Sequence, residues 1–403
     1  MSNATTRNLP GRLTGRYAPY FGIVLVSLGL LTGVTSFSPV AEQIATEIHL
    51  TPVTYGLLGT LSPVIFGIVG LLTPLVAGRI SLEWTILIAA ALMGAGQLFR
   101  ALAGDAVGFF GFSIVAMLGI GAANMLLPPL IKRFFPDRVV GVSTVYSVLL
   151  VTSSIYPPLL AVPLSHAIGW RGAIGLWCII EFLAVVPWVV TIIRSKKATD
   201  APPPSHAPAG LTAKVWKHPA SWALMAGYAV GVFNFYIVVA WLPAILVETA
   251  GVDPLTAGLL LSLYSGLGIV TGLFIPRLLH GVENIGLLFL GIVVIAAIGY
   301  FGLLLAPTTI TWLWVLLAGT GPSLFTTVLV GLNYRSHTPA GAVALGGMVT
   351  AGGYIIGAAG PLIVGALRAQ QVSWSATWWM LIASLVVAIV AGFGLRRRVN
   401  VDE

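Results

Sequence analysis

One acidic side chain lies deep inside a long apolar stretch of this sequence. The residues around Glu181, from 173 to 193, are otherwise almost entirely apolar. A carboxyl group is costly to keep ionised in hydrocarbon, so Glu181 is a candidate for carrying a proton. The sequence leaves a second interpretation open, in which Glu181 makes a local hydrogen bond to a neighbouring helix.

Amide and aromatic side chains offer a second kind of chemistry, the recognition of a polar or planar molecule. Asn234 and Trp241 are seven residues apart, which places them on one face of a helix. An amide in apolar surroundings needs a hydrogen-bonding partner, and that partner is either another helix or a bound molecule. Both interpretations stay open for Asn234.

The residue patterns that enzymes and metal sites use are missing from the apolar stretches. The single Cys178 excludes a disulfide framework and a site of several thiolates. His166, His280 and His337 fall at the ends of apolar stretches and are not spaced as metal ligands. The nucleotide-binding pattern G-x-x-x-x-G-K-[ST] does not occur. We therefore expect no catalytic activity, no metal and no cofactor.

The composition indicates what surrounds these groups. Of the 403 residues, 58% are hydrophobic and 8% are charged, whereas roughly 25% are charged in soluble proteins. So few charges cannot cover a surface that faces water. Most of the surface must therefore face lipid, which makes the lipid bilayer the first partner of this chain.

The apolar stretches are long enough for twelve membrane spans. A helix needs about 20 residues to cross a hydrocarbon core of roughly 30 Å. The twelve spans, numbered 1 to 12 in chain order, are predicted at 20–41, 53–77, 83–102, 107–130, 141–164, 170–193, 219–247, 254–279, 285–306, 311–333, 340–367 and 374–395.

The basic residues indicate how these spans are oriented. If the N-terminus lies in the cytoplasm, all of the 20 Lys and Arg residues except Arg100, Arg171 and Arg368 fall on the cytoplasmic side. This distribution follows the positive-inside rule and explains the net charge of +8 without nucleic acid. We expect a multi-pass protein of a bacterial cytoplasmic (inner) membrane, with both termini in the cytoplasm.

The two halves of the chain resemble each other. Pro52, Thr54 and Gly56 recur 202 residues later as Pro254, Thr256 and Gly258, and three further glycines recur at an offset of 200. A Pro-rich, charged segment separates the halves. The predicted units are a cytoplasmic arm 1–19, a six-helix bundle 20–193, a cytoplasmic linker 194–218, a second six-helix bundle 219–395 and a cytoplasmic tail 396–403. Parallel six-helix repeats are the layout of a major facilitator superfamily transporter.

Four short motifs make the resemblance more specific. They are PPLIKRFFPDR at 128–138, Gly-Trp-Arg at 169–171, FYIVVAWLPAIL at 235–246, and Gly-Tyr and Gly-Pro at 353–354 and 360–361. The chain resembles the cyanate/2-nitroimidazole (CynX/NimT-type) branch of that superfamily. The resemblance implies an all-α membrane protein whose two pseudo-symmetric bundles rock about a central site. It further implies a functional monomer that moves a small organic solute, by secondary active or facilitative transport.

The resemblance also implies which residues form the site, because spans 1, 4, 7 and 10 line the cavity in that superfamily, with contributions from spans 2, 5, 8 and 11. The residues near the middle of these spans, our candidates for substrate binding, are Thr35, Asn124, Tyr146, Asn234, Tyr236, Trp241, Tyr264, Ser323, Thr326 and Tyr354. The motifs assign gating or structural roles to Arg79, Arg100, Pro129, Lys132, Arg133, Arg171, Pro243, Gly353 and Pro361.

One departure from the family pattern bears on the substrate. Members of the branch carry an Arg in span 1 where this chain has Leu31. A buried cation is usually present for a partner, so its absence predicts an uncharged solute instead of a small anion. A proton-coupled multidrug exporter is the alternative, although the acidic residue common in span 1 of such exporters is absent between Phe21 and Ala41. A channel, and transport with or without protons as a further partner, stay open.

Overall fold

The computed structural model describes residues 16–77, 80–194, 214–281, 285–332, 335 and 339–395. Within these ranges the chain is helical and contains no β-strand. The all-α class predicted from the composition is therefore confirmed.

The helices follow the predicted spans closely. Among the described residues, eleven stretches are long and apolar enough to cross a membrane, and the one at Val139–Arg194 has 56 residues, enough for two crossings. Their bounds are Tyr17–Gly29, Thr32–Thr35 and Ala41–Ile48 in span 1, Pro52–Ala77 in span 2, Leu82–Leu102 in span 3, Ala106–Phe134 in span 4, Val139–Gly175 and Cys178–Arg194 in spans 5 and 6, Pro219–Ala250 in span 7, Pro254–Gly281 in span 8, Ile285–Leu305 in span 9, Thr311–Ala318 and Ser323–Leu332 in span 10, Pro339–Gly357 and Ala359–Ala369 in span 11, and Ser375–Gly394 in span 12.

Spans 5 and 6 are joined by a kink at one residue. Gly169 has φ 74° and ψ 162°, a backbone conformation that residues with a side chain rarely adopt. The chain therefore changes direction there without leaving helical structure on either side.

Short polar side chains start several of the helices. Asp105 accepts a hydrogen bond from the backbone N–H of Gly108 at 2.6 Å, and Asp253 accepts from the backbone N–H of Thr256 at 3.1 Å. The hydroxyl of Thr256 also donates to Asp253, and these bonds hold the pKa of that carboxyl below its ordinary value. This contribution to stability is present above the pKa of aspartate in the unfolded chain and is lost as the pH falls through the lower folded value.

The spans pack as two similar sets. Spans 1 to 6 contact one another in the first half, and spans 7 to 12 do so in the second. Close glycine contacts recur in both: a Cβ on Gly96 would lie 2.3 Å from the backbone N of Ala116, and one on Gly299 would lie 2.2 Å from that of Ala318. Spans 3 and 4, and likewise 9 and 10, therefore need glycine at equivalent places to approach each other.

Each half also carries a cluster of one Glu, one Arg and one Trp at the same end of the molecule. In both clusters the Arg and Trp side chains donate hydrogen bonds to the carboxylate. The guanidinium lies over the indole ring, 4.4 Å from its centroid in the first half and 4.1 Å in the second. The residues are Glu47, Trp170 and Arg171 in the first half and Glu248, Arg368 and Trp374 in the second. These clusters tie span 1 to span 6, and span 7 to spans 11 and 12.

Span 1 is not one continuous helix. The prediction of a single helix over 20–41 did not include this break. Its first helix ends at Gly29, a short helix follows at Thr32–Thr35, and a 3₁₀ turn occupies Ser38–Val40. Neighbouring side chains satisfy the freed backbone groups: the Oγ of Ser153 accepts from the N–H of Leu31 at 3.1 Å, and Tyr156 donates to the carbonyl of Leu28 at 2.6 Å. Spans 1 and 5 are thereby joined at the break.

Candidate functional site

The two halves meet along two seams, where span 2 packs against span 11 and span 5 against span 8. Both seams are tight at the end of the molecule that carries the turns at 49–51 and 251–253, which we call the closed end. There a Cβ on Gly56 would lie 2.6 Å from the carbonyl oxygen of Pro361, and one on Gly258 would lie 2.7 Å from that of Pro158. Backbone meets backbone at these points, so a solute cannot pass.

Four aromatic side chains fill the space between the seams at the closed end: Phe37, Tyr55, Trp241 and Trp374, which we call the aromatic seal. The ring centroids of Tyr55 and Trp241 are 4.4 Å apart, and Phe37 and Trp374 extend the stack on either side at 5.4 and 5.7 Å. Tyr55 donates a hydrogen bond to the carbonyl of Ala240 at 2.6 Å, joining spans 2 and 7. The seal thus combines residues from both halves.

The seams separate towards the opposite end, where span 1 begins and spans 6 and 12 end, which we call the open end. A Cβ on Gly67 would still lie 3.4 Å from Ile355 across the seam, but one on Gly70 would meet only Met125 of its own half, at 3.9 Å. A Cβ on Gly272 of span 8 would meet no atom of the described residues within 4 Å. Among the described residues, the space between the halves therefore widens towards the open end.

Four tyrosines, Tyr146, Tyr228, Tyr236 and Tyr354, meet where this space reaches the middle of the molecule; we call them the tyrosine cluster. The ring centroids of Tyr228 and Tyr354 are 5.5 Å apart, with their planes at 82°. The hydroxyls of Tyr146 and Tyr236 are near enough to interact electrostatically with the same pair. Tyr146 belongs to the first half and the other three to the second, so the cluster lies between the halves.

Two neighbours hold the cluster in place. Tyr146 donates to the Oδ1 of Asn124 at 2.9 Å, which connects spans 5 and 4. Gly353 lets the ring of Tyr228 lie against span 11, since a Cβ there would be 2.4 Å from the Cδ1 of Tyr228. The edge of Phe66 meets the ring of Tyr354 across the seam at 5.9 Å.

The chemistry of this arrangement is neutral. Phenol hydroxyls donate and accept hydrogen bonds, the Asn124 amide does both, and the ring faces stack on planar groups. Because tyrosine keeps its proton at neutral pH, none of these side chains supplies a formal charge. A small, planar, uncharged molecule with hydrogen-bonding atoms on its edge fits such a site.

The structure brings together four of the ten residues predicted to bind substrate: Asn124, Tyr146, Tyr236 and Tyr354. Trp241 lies in the aromatic seal, and Thr35 is buried in the broken part of span 1, where its hydroxyl donates to the carbonyl of Leu31 at 3.0 Å. Ser323 is buried and Thr326 half-buried in span 10. A substrate contact for each of these residues stays a prediction.

Asn234 lies inside the second half, with Tyr264 beside it. Its amide Nδ2 donates to the carbonyl of Val230 at 2.7 Å and to the Oγ of Ser384 at 3.0 Å, while Oδ1 accepts from the hydroxyl of Tyr300. Tyr264 donates to the backbone carbonyl of Asn234 at 3.4 Å. This geometry favours the alternative in which the amide joins helices, here span 7 to spans 9 and 12, while the backbone carbonyl of the same residue joins span 8.

Replacing Asn234 with leucine should therefore destabilise the protein instead of only weakening substrate binding. The substitution leaves the Tyr300 hydroxyl buried without its acceptor, at a cost of about 1–3 kcal/mol. Thermal unfolding of the detergent-purified variant measures this loss. Thr144→Val is the control, because the Thr144 hydroxyl is exposed and bonds only to its own helix. An unfolding temperature equal to wild type, with substrate response lost, would return Asn234 to the binding site.

The residues predicted to be structural or gating lie in several places. Arg133 forms an ion pair with Glu83 at 3.1 Å between spans 4 and 3 at the open end. Pro361 accepts a hydrogen bond from the indole of Trp241 at 3.2 Å, and Pro243 is buried in span 7. Pro129 and Lys132 are exposed on span 4. Arg79 lies outside the described residues.

Arg100 differs from its predicted environment at the outer membrane surface. It is only 2% exposed, lies inside the first half, and donates to the carbonyl of Gly33 at 2.9 Å in the broken part of span 1. The break explains this position, because a carbonyl freed from a helix can accept from a buried guanidinium.

Sequence reasoning missed Tyr55 and Tyr228. Tyr55 lies within the repeated segment at 52–58, but the comparison of the halves passes over it because Ala257 is its counterpart. Tyr228 lies eight residues before Tyr236 on span 7, a spacing of slightly more than two helical turns. The glycine at 353, next to Tyr354, was the feature of the sequence that could have indicated a second aromatic ring packing against span 11.

Comparisons with known proteins agree with this geometry. A sequence profile of the Major Facilitator Superfamily matches residues 23–357. The 2-nitroimidazole transporter of Escherichia coli (strain K12) is 30% identical over 380 residues, covering 93% of each protein. The cyanate transport protein CynX of the same organism is 25% identical over 365 residues, covering 88% of this chain and 91% of CynX.

A solved structure shares the fold. A bacterial homolog of the human lysosomal transporter Spinster, in an inward-facing and unoccupied conformation, superposes with a TM-score of 0.76 at 14% sequence identity. The match covers 96% of this chain and 98% of that structure.

Proposed function

We propose a function for this chain, which belongs to the Major Facilitator Superfamily, within the branch of the cyanate and 2-nitroimidazole transporters, and is a multi-pass membrane transporter of solutes. We propose that its cargo is a small, uncharged, planar organic molecule that binds at the tyrosine cluster. A transporter needs no reacting groups at this site, and we expect the protein to have no catalytic activity.

The observation that supports this cargo most directly is the neutral tyrosine cluster between the halves. Its hydroxyls come from both bundles, so a solute bound there contacts both of the bodies that must move. The side chain of Leu31, at the position where the branch carries an Arg, packs against the hydrophobic core instead of supplying a cation. 2-Nitroimidazole, named for the E. coli relative, is planar and uncharged and fits this chemistry.

We infer that transport proceeds by rocking of the two halves. The aromatic seal joins the halves at the closed end, and their contacts become wider towards the open end, which supports an interpretation of the structure as one of two alternating states. Eight of the described basic residues lie at the open end: Arg16, Lys132, Arg133, Arg138, Arg194, Lys214, Lys217 and Arg335. The positive-inside rule supports a cytoplasmic position for this end, and with it a bacterial inner-membrane protein whose two termini lie in the cytoplasm.

Binding of 2-nitroimidazole to the purified protein tests the proposed cargo. We expect 2-nitroimidazole to raise the unfolding temperature and to exchange by counterflow in proteoliposomes, because a ligand that binds only the folded state stabilises it. Cyanate is a small anion, and no side chain of the tyrosine cluster is a cation that could bind it. Cyanate should therefore neither raise the unfolding temperature nor exchange by counterflow. Stabilisation by cyanate alone would overturn the proposal of a neutral cargo. Protein-free liposomes are the control for passive leakage.

A further inference from the structure

The first half contains a polar cluster that the tyrosine site does not use. Its members lie on spans 1, 3, 5 and 6 around the break in span 1, and all but one are buried. Glu181 is 1% exposed, and Arg100 is 2% exposed. We call the following residues the buried polar cluster: Thr32, Gln97, Arg100, Tyr156, Trp177 and Glu181.

Several polar atoms of this cluster lack a hydrogen-bonding partner within the described part of the chain. They include Nε and Nη2 of Arg100, Oε1 of Gln97 and Oε2 of Glu181. Buried polar groups are nearly always hydrogen bonded, so unpaired donors beside an unpaired carboxylate oxygen call for a functional explanation. Arg100 and Glu181 are near enough to interact electrostatically, yet no ion pair within 4 Å joins them.

The two contacts of the Thr32 hydroxyl favour the protonated form of Glu181. The Oγ1 of Thr32 lies 2.8 Å from the carbonyl oxygen of Gly29 and 3.1 Å from the Oε1 of Glu181. Only Thr32 can donate to the carbonyl, and this shorter contact uses its hydrogen. The second contact is then favourable when Glu181 is protonated and donates to Thr32.

We propose that Glu181 binds and releases the proton that this transporter couples to its solute, and that Arg100 receives the carboxylate. On release, the O–H bond of the Glu181 carboxyl breaks and the proton passes to water. The carboxylate then turns from Thr32 to the free Nε and Nη2 donors of Arg100. This inference rests on the proposed transport function. It adds Glu181 as the side chain through which a proton gradient would drive transport.

Span 1 connects this event to the closed end. A Cβ on Gly29 would lie 3.1 Å from the Cγ of Glu181, so the carboxyl side chain packs directly on the break. The same span continues to Phe37, whose ring lies 5.4 Å from Tyr55 in the aromatic seal, and its 3₁₀ turn at Ser38–Val40 packs on spans 7 and 8. A movement of the broken part of span 1 would therefore be transmitted to both seams between the halves.

Few other groups compete for the proton. Among the described residues, the titratable or charged groups that face Glu181 are Arg100 from span 3, Tyr156 from span 5 and Cys178 from its own helix. The Tyr156 hydroxyl donates to the carbonyl of Leu28, and Cys178 is buried. Span 1 contributes the neutral Thr32.

Infrared spectroscopy of the purified protein tests the proposal without a substrate. We expect a carbonyl stretching band of a protonated carboxyl group at neutral pH that disappears as the pH rises. The band should be absent in Glu181→Gln and unchanged in Glu42→Gln, because Glu42 is exposed. Arg100→Gln should move its disappearance to higher pH by about one unit or more, since the cation favours the carboxylate. Identical spectra for wild type and Glu181→Gln would overturn the proposal.

Two further measurements keep the outcome decisive. If Glu181→Gln does not fold, Thr32→Val provides the test, because it removes the hydroxyl that accepts the hydrogen bond of the Glu181 carboxyl group. The carbonyl stretching band should then shift to higher frequency. An unshifted band would contradict its assignment to Glu181. In proteoliposomes, a pH gradient should accelerate flux of 2-nitroimidazole through wild type but not through Glu181→Gln. If the Glu181 band is present but flux of 2-nitroimidazole through the wild-type protein does not depend on the pH gradient, the proposed coupling of the proton to the solute is wrong. Absence of 2-nitroimidazole binding would instead contradict only the proposed cargo.

Discussion

Replacing Gly56 with valine should abolish most transport while the protein remains folded. Gly56 lies where spans 2 and 11 cross at the closed end, and even a Cβ there would be 2.6 Å from the carbonyl oxygen of Pro361. Overpacking of this kind costs about 1–3 kcal/mol, and only the state with a closed seal bears the cost. The equilibrium between the two states should therefore shift about 5–150-fold away from closure. Counterflow of 2-nitroimidazole measures the loss.

The shift itself can be observed by chemical labelling at the seam. Thr60, which donates to the carbonyl of Ala358 across the same seam at 2.9 Å, becomes accessible when the closed end opens. A cysteine introduced there, in a Cys178→Ala background, should react faster with a membrane-impermeant maleimide when Gly56→Val is present. Gly291→Val is the matched control, because a Cβ on Gly291 meets no described atom within 4 Å. Wild-type flux in the Gly56 variant would contradict the assigned closed end.

Removing the side chain of Tyr354 should give the largest loss of affinity in the tyrosine cluster. Tyr354 touches Phe66 of the first half and Tyr228 of the second, so it contacts both walls of the site. Loss of an aromatic contact and of a hydroxyl hydrogen bond each costs about 0.5–1.5 kcal/mol. We expect Tyr354→Ala to weaken binding of 2-nitroimidazole about 5–150-fold, and Tyr354→Phe only by the hydroxyl share, about 2–10-fold.

Titration of the unfolding temperature with 2-nitroimidazole measures these affinities. Tyr17→Ala removes the same side chain from an exposed position at the start of span 1 and should leave binding unchanged. If Tyr354→Ala binds normally and Trp241→Ala does not, the solute binds at the aromatic seal. That result would support the substrate contact first predicted for Trp241.

The sequence predicts the fold well because the bilayer constrains it strongly. Helices must satisfy their own backbone and must be about 20 residues long, so hydrophobic length alone locates the spans. The repeated glycines are informative for the same reason, since Gly56 and Gly258 each lie where backbone meets backbone across a seam. The break in span 1 escaped prediction because side chains from other spans, Ser153 and Tyr156 among them, satisfy it.

The candidate site was harder to predict because helical spacing fixes a face but not what the face meets. Asn234 and Trp241 share a face, yet two turns separate them along the helix. One is therefore surrounded by the second half, and the other reaches the aromatic seal. Tyr146 and Tyr354 are distant in sequence, and only the meeting of the two halves brings them together.

The contacts across the two seams have a consequence for the ease of switching. Within the described residues, three hydrogen bonds join the halves, from Tyr55, Thr60 and Ser262 to backbone carbonyls, and no ion pair does. Each such bond is worth about 0.5–1.5 kcal/mol net, because water replaces the lost partner on opening. These three bonds involve no formal charge, so dissolved ions, which screen charges, should leave each of them nearly unchanged between dilute and concentrated electrolyte.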